Sequence, residues 1–289
     1  MELGYYPGCC MESTAKAYDI STVAVLKELG VDLVEIEDWN CCGSTPAHQT
    51  GHLLSMALSA RNLSLGEGHG VDKMTTPCVA CYSHLKTAEI EFESESEADE
   101  INKVLEQPYN GTVSVYNLIE VLVDLIGIDT IAKKVKKSLD GLKVVPFYGC
   151  LLTRPEKITD FDHPTDPQSM DQLLEVLGTE VLQWGAKTNC CGAAYSLTDT
   201  DIVVKHCGDI LEEAKAVDAD MIVVACPLCQ LNLDTRQSEV EKEIGKKLDI
   251  PVLYITELLG LSLGISRSDL AIGKRLISSK SILKNKKII

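Results

Sequence analysis

Short runs rich in β-branched and aliphatic residues alternate with longer segments of helical period along most of the chain. In the first half, Glu2 to Tyr6 predicts a strand, Ser13 to Leu29 a helix ended by Gly30, and Val31 to Ile36 a second strand. A helix over about Thr50 to Leu65 follows, then a strand over Lys73 to Thr76 and a helix carrying Leu85 and Ile90. The second half repeats the order, with strands over Leu142 to Tyr148, Glu180 to Gln183 and Met221 to Ala225 and helices over Gln168 to Leu177 and about Asp199 to Ala216. This alternation predicts an α/β fold of two tandem pseudo-symmetric βα modules, 1–140 and 141–289, with parallel sheets and right-handed crossovers. Ligands of such sheets collect beyond the carboxyl ends of the strands.

The duplication is also written in the cysteines. Cys9, Cys41-Cys42-Gly43 and Cys78-Val79-Ala80-Cys81 recur in the same order as Cys150, Cys190-Cys191-Gly192 and Cys226-Pro227-Leu228-Cys229. Intervening lengths are 31 then 35 residues in the first copy and 39 then 34 in the second. Flanking residues repeat too: Tyr6-Pro7-Gly8-Cys9 resembles Tyr148-Gly149-Cys150, Asn40 matches Asn189, and Val115-Tyr116 with Val121 is echoed by Leu253-Tyr254 with Leu259. One duplicated module accounts for all of this. Each cysteine group follows a predicted strand, so the crossovers bring five thiols to one sheet edge, where helix N-termini offer N–H groups to anionic sulfur. Gly43 and Gly192 would let the backbone approach closely there. Cys10, which aligns with Leu151, and Cys207, which has no counterpart, are read as structural.

Composition narrows the chemistry. With 289 residues, 45% of them hydrophobic and 24% charged, the chain can build packed cores. A net charge of −16 argues against nucleic-acid binding. Leu258 to Ser266 is among the longest uncharged runs, well short of the roughly 20 residues of a spanning helix. The start Met1-Glu2-Leu3-Gly4-Tyr5 lacks the basic and apolar regions of a secretory signal, so a cytoplasmic location is expected. Twelve cysteines in a reducing compartment point to metal ligation over disulfides. Four thiolates close a zinc site, and an ordinary cubane iron–sulfur cluster also takes four, so a fifth per copy is left over in both cases and the count does not choose. A thioredoxin-like dithiol would explain four cysteines and leave eight. The ferredoxin run CxxCxxCxxxCP is absent, so electrons would come from ferredoxin-like clusters on another chain.

Two copies of Cys…Cys-Cys-Gly…CxxC across nearly the whole chain resemble the CCG, or cysteine-rich, domain family. Among its branches the chain is most similar to the B subunit of methanogen heterodisulfide reductases, a stand-alone pair of such modules that opens much like Tyr5 to Cys9. The resemblance implies that Cys9, Cys41, Cys42, Cys78 and Cys81 ligate one noncubane [4Fe-4S] cluster, and Cys150, Cys190, Cys191, Cys226 and Cys229 a second. It further implies that these centres reduce the mixed disulfide of coenzyme M and coenzyme B, with two partners, the reductase's flavin-containing subunit plus its ferredoxin-like iron–sulfur subunit. The alternatives are an electron-transfer subunit of another CCG-containing oxidoreductase, linked to glycolate, lactate or quinone, and a zinc-stabilised interaction module.

The implied thiol products are anionic, so a local basic pocket is expected, and Arg154, Lys187, Lys86, Lys205 and Arg236 lie near motif cysteines. His206 is a candidate proton relay. His48, His52 and His84 lie near the first motif without a carboxylate partner marked by sequence. Glu89 to Glu106, with eight acidic residues, reads as a solvated helix face or loop. The tail from Arg267, with Lys274, Arg275, Lys280, Lys284, Lys286 and Lys287, reads as a solvated basic end or as a docking element for an acidic partner.

Overall fold

The computed structural model describes residues 1–273 and 275–289, with only the backbone of Thr45 described. Each half holds a four-stranded parallel sheet, as the alternation of strands and helices predicts. The first contains β1 (Glu2–Tyr5), β2 (Asp32–Glu35), β3 (Lys73–Thr76) and β4 (Ser114–Asn117) in the order β2-β1-β3-β4. The second contains β5 (Lys143–Phe147), β6 (Glu180–Val181), β7 (Met221–Val224) and β8 (Val252–Tyr254) in the matching order β6-β5-β7-β8. In both sheets the chain steps outward to its second strand and returns past the first to its third, which makes a topological switch point between the two central strands. All four residues of β7 are buried, as a strand covered on both faces requires.

The first half carries α1 (Lys16–Leu29), α2 (Ser44–Thr50), α3 (His52–Gly68), α4 (Val79–Glu91), α5 (Glu95–Asn102) and α6 (Leu118–Glu120), which runs through a π-helical stretch, Val121–Gly127, into α7 (Ile128–Lys134). The second carries α8 (Glu156–Thr159), α9 (Ser169–Val176), α10 (Thr200–Ala216), α11 (Pro227–Thr235), α12 (Gln237–Ile244), α13 (Ile255–Ser262) and α14 (Lys280–Asn285). Helix α1 begins three residues later than Ser13, because Cys10 to Ala15 form turns closed by the Cys10 carbonyl. It stops at Gly30, whose φ of 88° suits the left-handed cap. The helix expected over about Thr50 to Leu65 is α3, which starts after the extended Gly51 and runs on to Gly68; the short α2 before it has no counterpart in the sequence pattern.

The two modules interlock. Helix α1, which follows β1, packs on α13, which follows β8, and α9, which follows β5, packs on α6 and α7, which follow β4. The helix after the first strand of each module thus rests on the segment after the last strand of the other, a pseudo-twofold exchange. At its centre Tyr18 stacks on Tyr254 at 3.9 Å and donates to the Ala225 carbonyl at 3.0 Å, while the Ser21 and Thr256 hydroxyls pair at 2.6 Å. One hydrophobic core runs from Leu26 and Leu122 through Val145 to Leu258, whereas a smaller one around Tyr82 and Met74 belongs to the first module. Fully burying each such aliphatic side chain is worth roughly 1.5–3 kcal/mol.

The acidic segment is mostly exposed, as expected of a solvated face, with Glu89 at its start an exception, whereas the basic tail is partly buried. Glu89 pairs with Lys86 at 2.8 Å and accepts from the Val115 amide at 2.8 Å, so burial raises its pKa even against those contacts. In the tail, Arg275 is buried against Glu257 at 2.5 Å and lies 4.7 Å from the Tyr254 ring centroid; Lys286 reaches Asp220 at 3.1 Å, and Leu283 and Ile288 are buried. These residues tie the tail to the second module. Lys274 lies outside the described residues.

Candidate metal centres

The ends of β1, β2 and β3 deliver Cys9, Cys41 with Cys42, and Cys78 with Cys81 to one edge of the first sheet. Cys9 and Cys41 sulfurs are 4.0 Å apart, and those of Cys42 and Cys81 3.4 Å. Hydrogen bonds from Cys42 to Cys41 and between Cys81 and Cys78 complete a chain through all five thiols. In the second module Cys191 and Cys229 are 3.4 Å apart, Cys150 bonds to Cys190, and Cys226 to Cys229. Cys78 caps the N-terminus of α4 and Cys226 that of α11, where the helix dipole favours anionic sulfur. The structure therefore brings the thiols of each predicted pentad to one sheet edge in close pairs, and all twelve cysteines are free; among the described residues no three His, Cys, Asp or Glu side chains are already grouped to hold a metal ion.

The thiol at the same position of each pentad, Cys41 and Cys190, is poised as thiolate, and in the second pentad Cys226 is lowered as well by its bonds with Cys229 and the Leu228 amide. Cys41 is lowered by its bonds with Cys42 and Cys9, aided by the Gly43 amide and His84. Cys190 is lowered to about 5 by its bond with Cys150, aided by the Gly192 amide, His206 and Arg154. Cys9 and Cys150, their partners, are pushed up by the same hydrogen bonds. Five sulfurs gathered at one edge suit a polynuclear iron–sulfur group, whereas a single zinc ion would use four of them.

The glycines divide their work. Gly43 and Gly192 have φ of 83° and 75°, and a Cβ there would strike Ala47 and the Val203 backbone; without one, their amides reach the neighbouring sulfurs, Gly192 N donating to Cys190 Sγ at 3.4 Å. Gly8 and Gly149 face the sulfurs: a Cβ on either would stand 3.1 Å from Cys81 or Cys229, with φ of 73° and 71°. The signal for them is in the repeat itself, since both immediately precede the first cysteine of their copy. Tyr6 donates to the Asn40 carbonyl at 2.8 Å and Asn232 to that of Cys191 at 3.0 Å, fixing the two CCG loops. Cys207 also points its thiol at the Cys191 carbonyl, at 3.7 Å, so it braces the loop. Cys10 bonds with Cys9 and packs, half buried, against the larger core.

The expected basic pocket does not form. Lys187 is buried in an ion pair with Asp171 at 2.7 Å, and Tyr148 donates to the same carboxylate at 2.6 Å. Lys86 pairs with Glu89, Arg236 with Glu239, and Arg154 donates to the Thr188 carbonyl. Lys205 is exposed on α10. His52, for which sequence marks no partner, meets Glu91 at 3.1 Å because α3 and α4 pack side by side. A cavity of about 620 Å³ opens instead between the modules, lined by all five cysteines of the second pentad and, across from them, by Val79 and Ala80 of the first CxxC.

Comparison with known proteins agrees with this arrangement. The cysteine-rich (CCG) domain model matches residues 3–86 and 144–234. The 8-methylmenaquinol:fumarate reductase membrane anchor subunit of Wolinella succinogenes is 34% identical over 284 residues, 97% of this chain and 99% of its own length. The B subunit of the ferredoxin/F(420)H(2)-dependent CoB-CoM heterodisulfide reductase of Methanosarcina acetivorans is 30% identical over 98% of this chain and 96% of its own. A protein of Archaeoglobus profundus that resembles the heterodisulfide reductase B subunit is 28% identical over 99% and 100%. The crystal structure of a hypothetical protein from Helicobacter pylori shares the fold, with a TM-score of 0.76 at 12% identity over 96% of this chain and 52% of that one. Among the described residues no helix is long and apolar enough to cross a membrane. With both repeats matched and full-length relatives of the same kind, the chain belongs to the cysteine-rich CCG domain family.

Proposed function

We propose that the chain is the catalytic iron–sulfur subunit of a multisubunit reductase, with modules 1–140 and 141–289 each holding one noncubane [4Fe-4S] cluster through its five cysteines. The observation that carries this is the pair of equivalent five-thiol groups at the two sheet edges, the second of which lines a cavity between the modules. The clusters supply one-electron chemistry, and the chain supplies everything that confines it. Cys41 and Cys190 offer thiolate, the helix termini at Cys78 and Cys226 stabilise it, and the interlocking helices hold the two modules together. The reaction is reduction of a disulfide by two electrons and two protons to two thiols, and the heterodisulfide reductase relatives make the mixed disulfide of coenzyme M and coenzyme B the first substrate to test. His206, beside Cys190, is the candidate proton donor. Two partner subunits, one containing flavin and one a ferredoxin-like iron–sulfur protein, would complete the path for electrons.

A second reading is favoured by one finding, the 34% identity to a subunit of a methylmenaquinol-linked fumarate reductase: electron transfer between partner subunits and a quinol, without disulfide chemistry. Anaerobic purification with iron, sulfide and zinc analysis tests the shared basis, with about eight irons per chain expected from two four-iron clusters. Two zincs and no sulfide would overturn it. Adding the mixed disulfide to oxidised protein then separates the readings: a changed cluster EPR spectrum supports disulfide chemistry, and an unchanged one supports the quinol-linked role.

A further inference from the structure

The cavity is asymmetric, and beyond its thiols it is lined by uncharged groups. It is walled by all the cysteines of the second pentad and by none of the first, although the fold is duplicated. The asymmetry has a local cause: after Gly43 the chain turns into α2, whose Ser44, Pro46 and Gln49 face the cavity, whereas after Gly192 it makes only a short 3-10 turn, Ala193–Tyr195, that lines the cavity beside the second pentad. Beyond the sulfurs, the walls are Val79, Ala80, Leu151, Leu228 and Ala194, with Leu197 wholly exposed at the mouth. Polar lining comes from neutral groups such as Ser44, Gln49 and Thr198. Among the described residues no Lys, Arg, His, Asp or Glu lines it. Arg154 and His206 act on Cys190 from behind the wall, and Arg154 is already engaged by the Thr188 carbonyl.

An anionic group drawn into such a space would lose its hydration and find no cation, which is costly, whereas an apolar group gains by entering. We infer that the part of the substrate entering this cavity is an uncharged, apolar group, and that it is met by the second pentad alone. Any sulfonate, phosphate or carboxylate of the substrate stays outside the mouth. Two sources share this chemistry, a neutral disulfide and a quinone ring, and both fit walls of aliphatic carbon with neutral hydrogen-bonding groups. The inference rests on the reading that the second pentad holds a cluster only for its redox meaning, because binding is measured without turnover.

The test is equilibrium binding to the full chain, purified anaerobically with its clusters, of three probes: dipropyl disulfide, menadione and the dianionic disulfide dithiodipropionate. Saturable binding of at least one neutral probe, at least tenfold tighter than the anion, is expected. Ala194→Lys should weaken the neutral probe tenfold or more and tighten the anion, whereas Ala194→Leu, which adds bulk without charge, should hold the neutral probe within about threefold of wild type. Retained iron and sulfide content and circular dichroism show that both variants fold. Preference for dipropyl disulfide over menadione identifies a disulfide source, and the reverse a quinone. Tighter binding of the dianion to wild type, binding of no neutral probe, or neutral binding indifferent to Ala194→Lys each overturns the inference. Absence of iron and sulfide with neutral binding intact would instead strike the cluster reading and leave the cavity's ligand class standing.

Discussion

Gly149 shows how narrowly the sulfurs are accommodated. Its φ of 71° disfavours any side chain, and a methyl group there would press on the Cys229 sulfur at 3.1 Å, so Gly149→Ala should cost on the order of 1–2 kcal/mol and also displace a proposed ligand. Iron content of the second module should fall in this variant, and Gly8→Ala should do the same for the first; unchanged iron in both would show that the contact is idle. Lys187 makes the opposite kind of case. It stands two residues before Asn189 and reads in sequence like any lysine near a motif, yet its charge is buried on Asp171, sixteen residues earlier along the chain. Lys187→Met would strand that carboxylate with only Tyr148 and lower stability by about 3–5 kcal/mol, readable as a fall in melting temperature. The cysteines were legible because a duplicated pattern needs no partner to be recognised. The lysine was not, because burial and pairing are properties of the fold and not of a residue's neighbours.

Among the elements, the strands and crossovers that carry cysteines follow their sequence pattern closely, and the departures have local causes. Strands β4 and β8 left only the echo of Val115-Tyr116 in Leu253-Tyr254, since runs of three or four residues are too short to show a period. The helix expected from about Thr50 begins at His52 as α3, while α2, which the pattern does not mark, follows the first CCG motif where the second has only a 3-10 turn. The segment after β4 is the most telling. Asn117 and Glu120 form a capping box that starts α6, and the Glu120 carboxyl accepts from the Asn117 amide at 3.2 Å. Burial nevertheless raises its pKa to about 7, against the pull of that hydrogen bond and of Lys86, with Asp124 and Glu89 adding to the rise. A carboxyl whose folded pKa lies above its unfolded value of 4.5 binds more protons when folded, so its contribution is present at low pH and is lost as pH rises from 4.5 through 7. Glu120→Gln keeps the cap and removes the titration. The stability of wild type relative to this variant should therefore decline between pH 5 and 8, by up to about 3 kcal/mol. A pH-independent difference in unfolding free energy would refute the assignment.

The interlocking of the modules sets the behaviour of the molecule as a whole. Nothing in a repeat says whether its copies sit apart or exchange their outer elements, because the exchanged helices have the same apolar faces in both arrangements; only the partners differ. Here α1 leaves its own sheet's neighbours to lie on α13, so Tyr18 is buried between the first CxxC and the second, close enough to Cys78 and Cys226 for their charges to raise its pKa, after burial and Tyr254. Its hydroxyl holds the carbonyl of Ala225, the residue just before Cys226. The first module therefore supports the cysteine edge of the second, and the packing of α1 on α13 keeps the two pentads in a fixed relation that loosely tethered domains would lack. Tyr18→Ala would remove the stack on Tyr254 and the bond to Ala225 together, at about 3–5 kcal/mol for the cavity it leaves. The wild-type chain should melt in one transition, with both modules giving way at once, while this variant should show two, the earlier one accompanied by loss of iron from the second pentad because Ala225 is no longer held. Tyr18→Phe, which keeps the stack and loses only the hydroxyl, should retain the single transition at a temperature a few degrees lower, consistent with one buried hydrogen bond of roughly 1 kcal/mol. A single transition in Tyr18→Ala, with iron retained to its end, would mean that the modules stand independently of this contact.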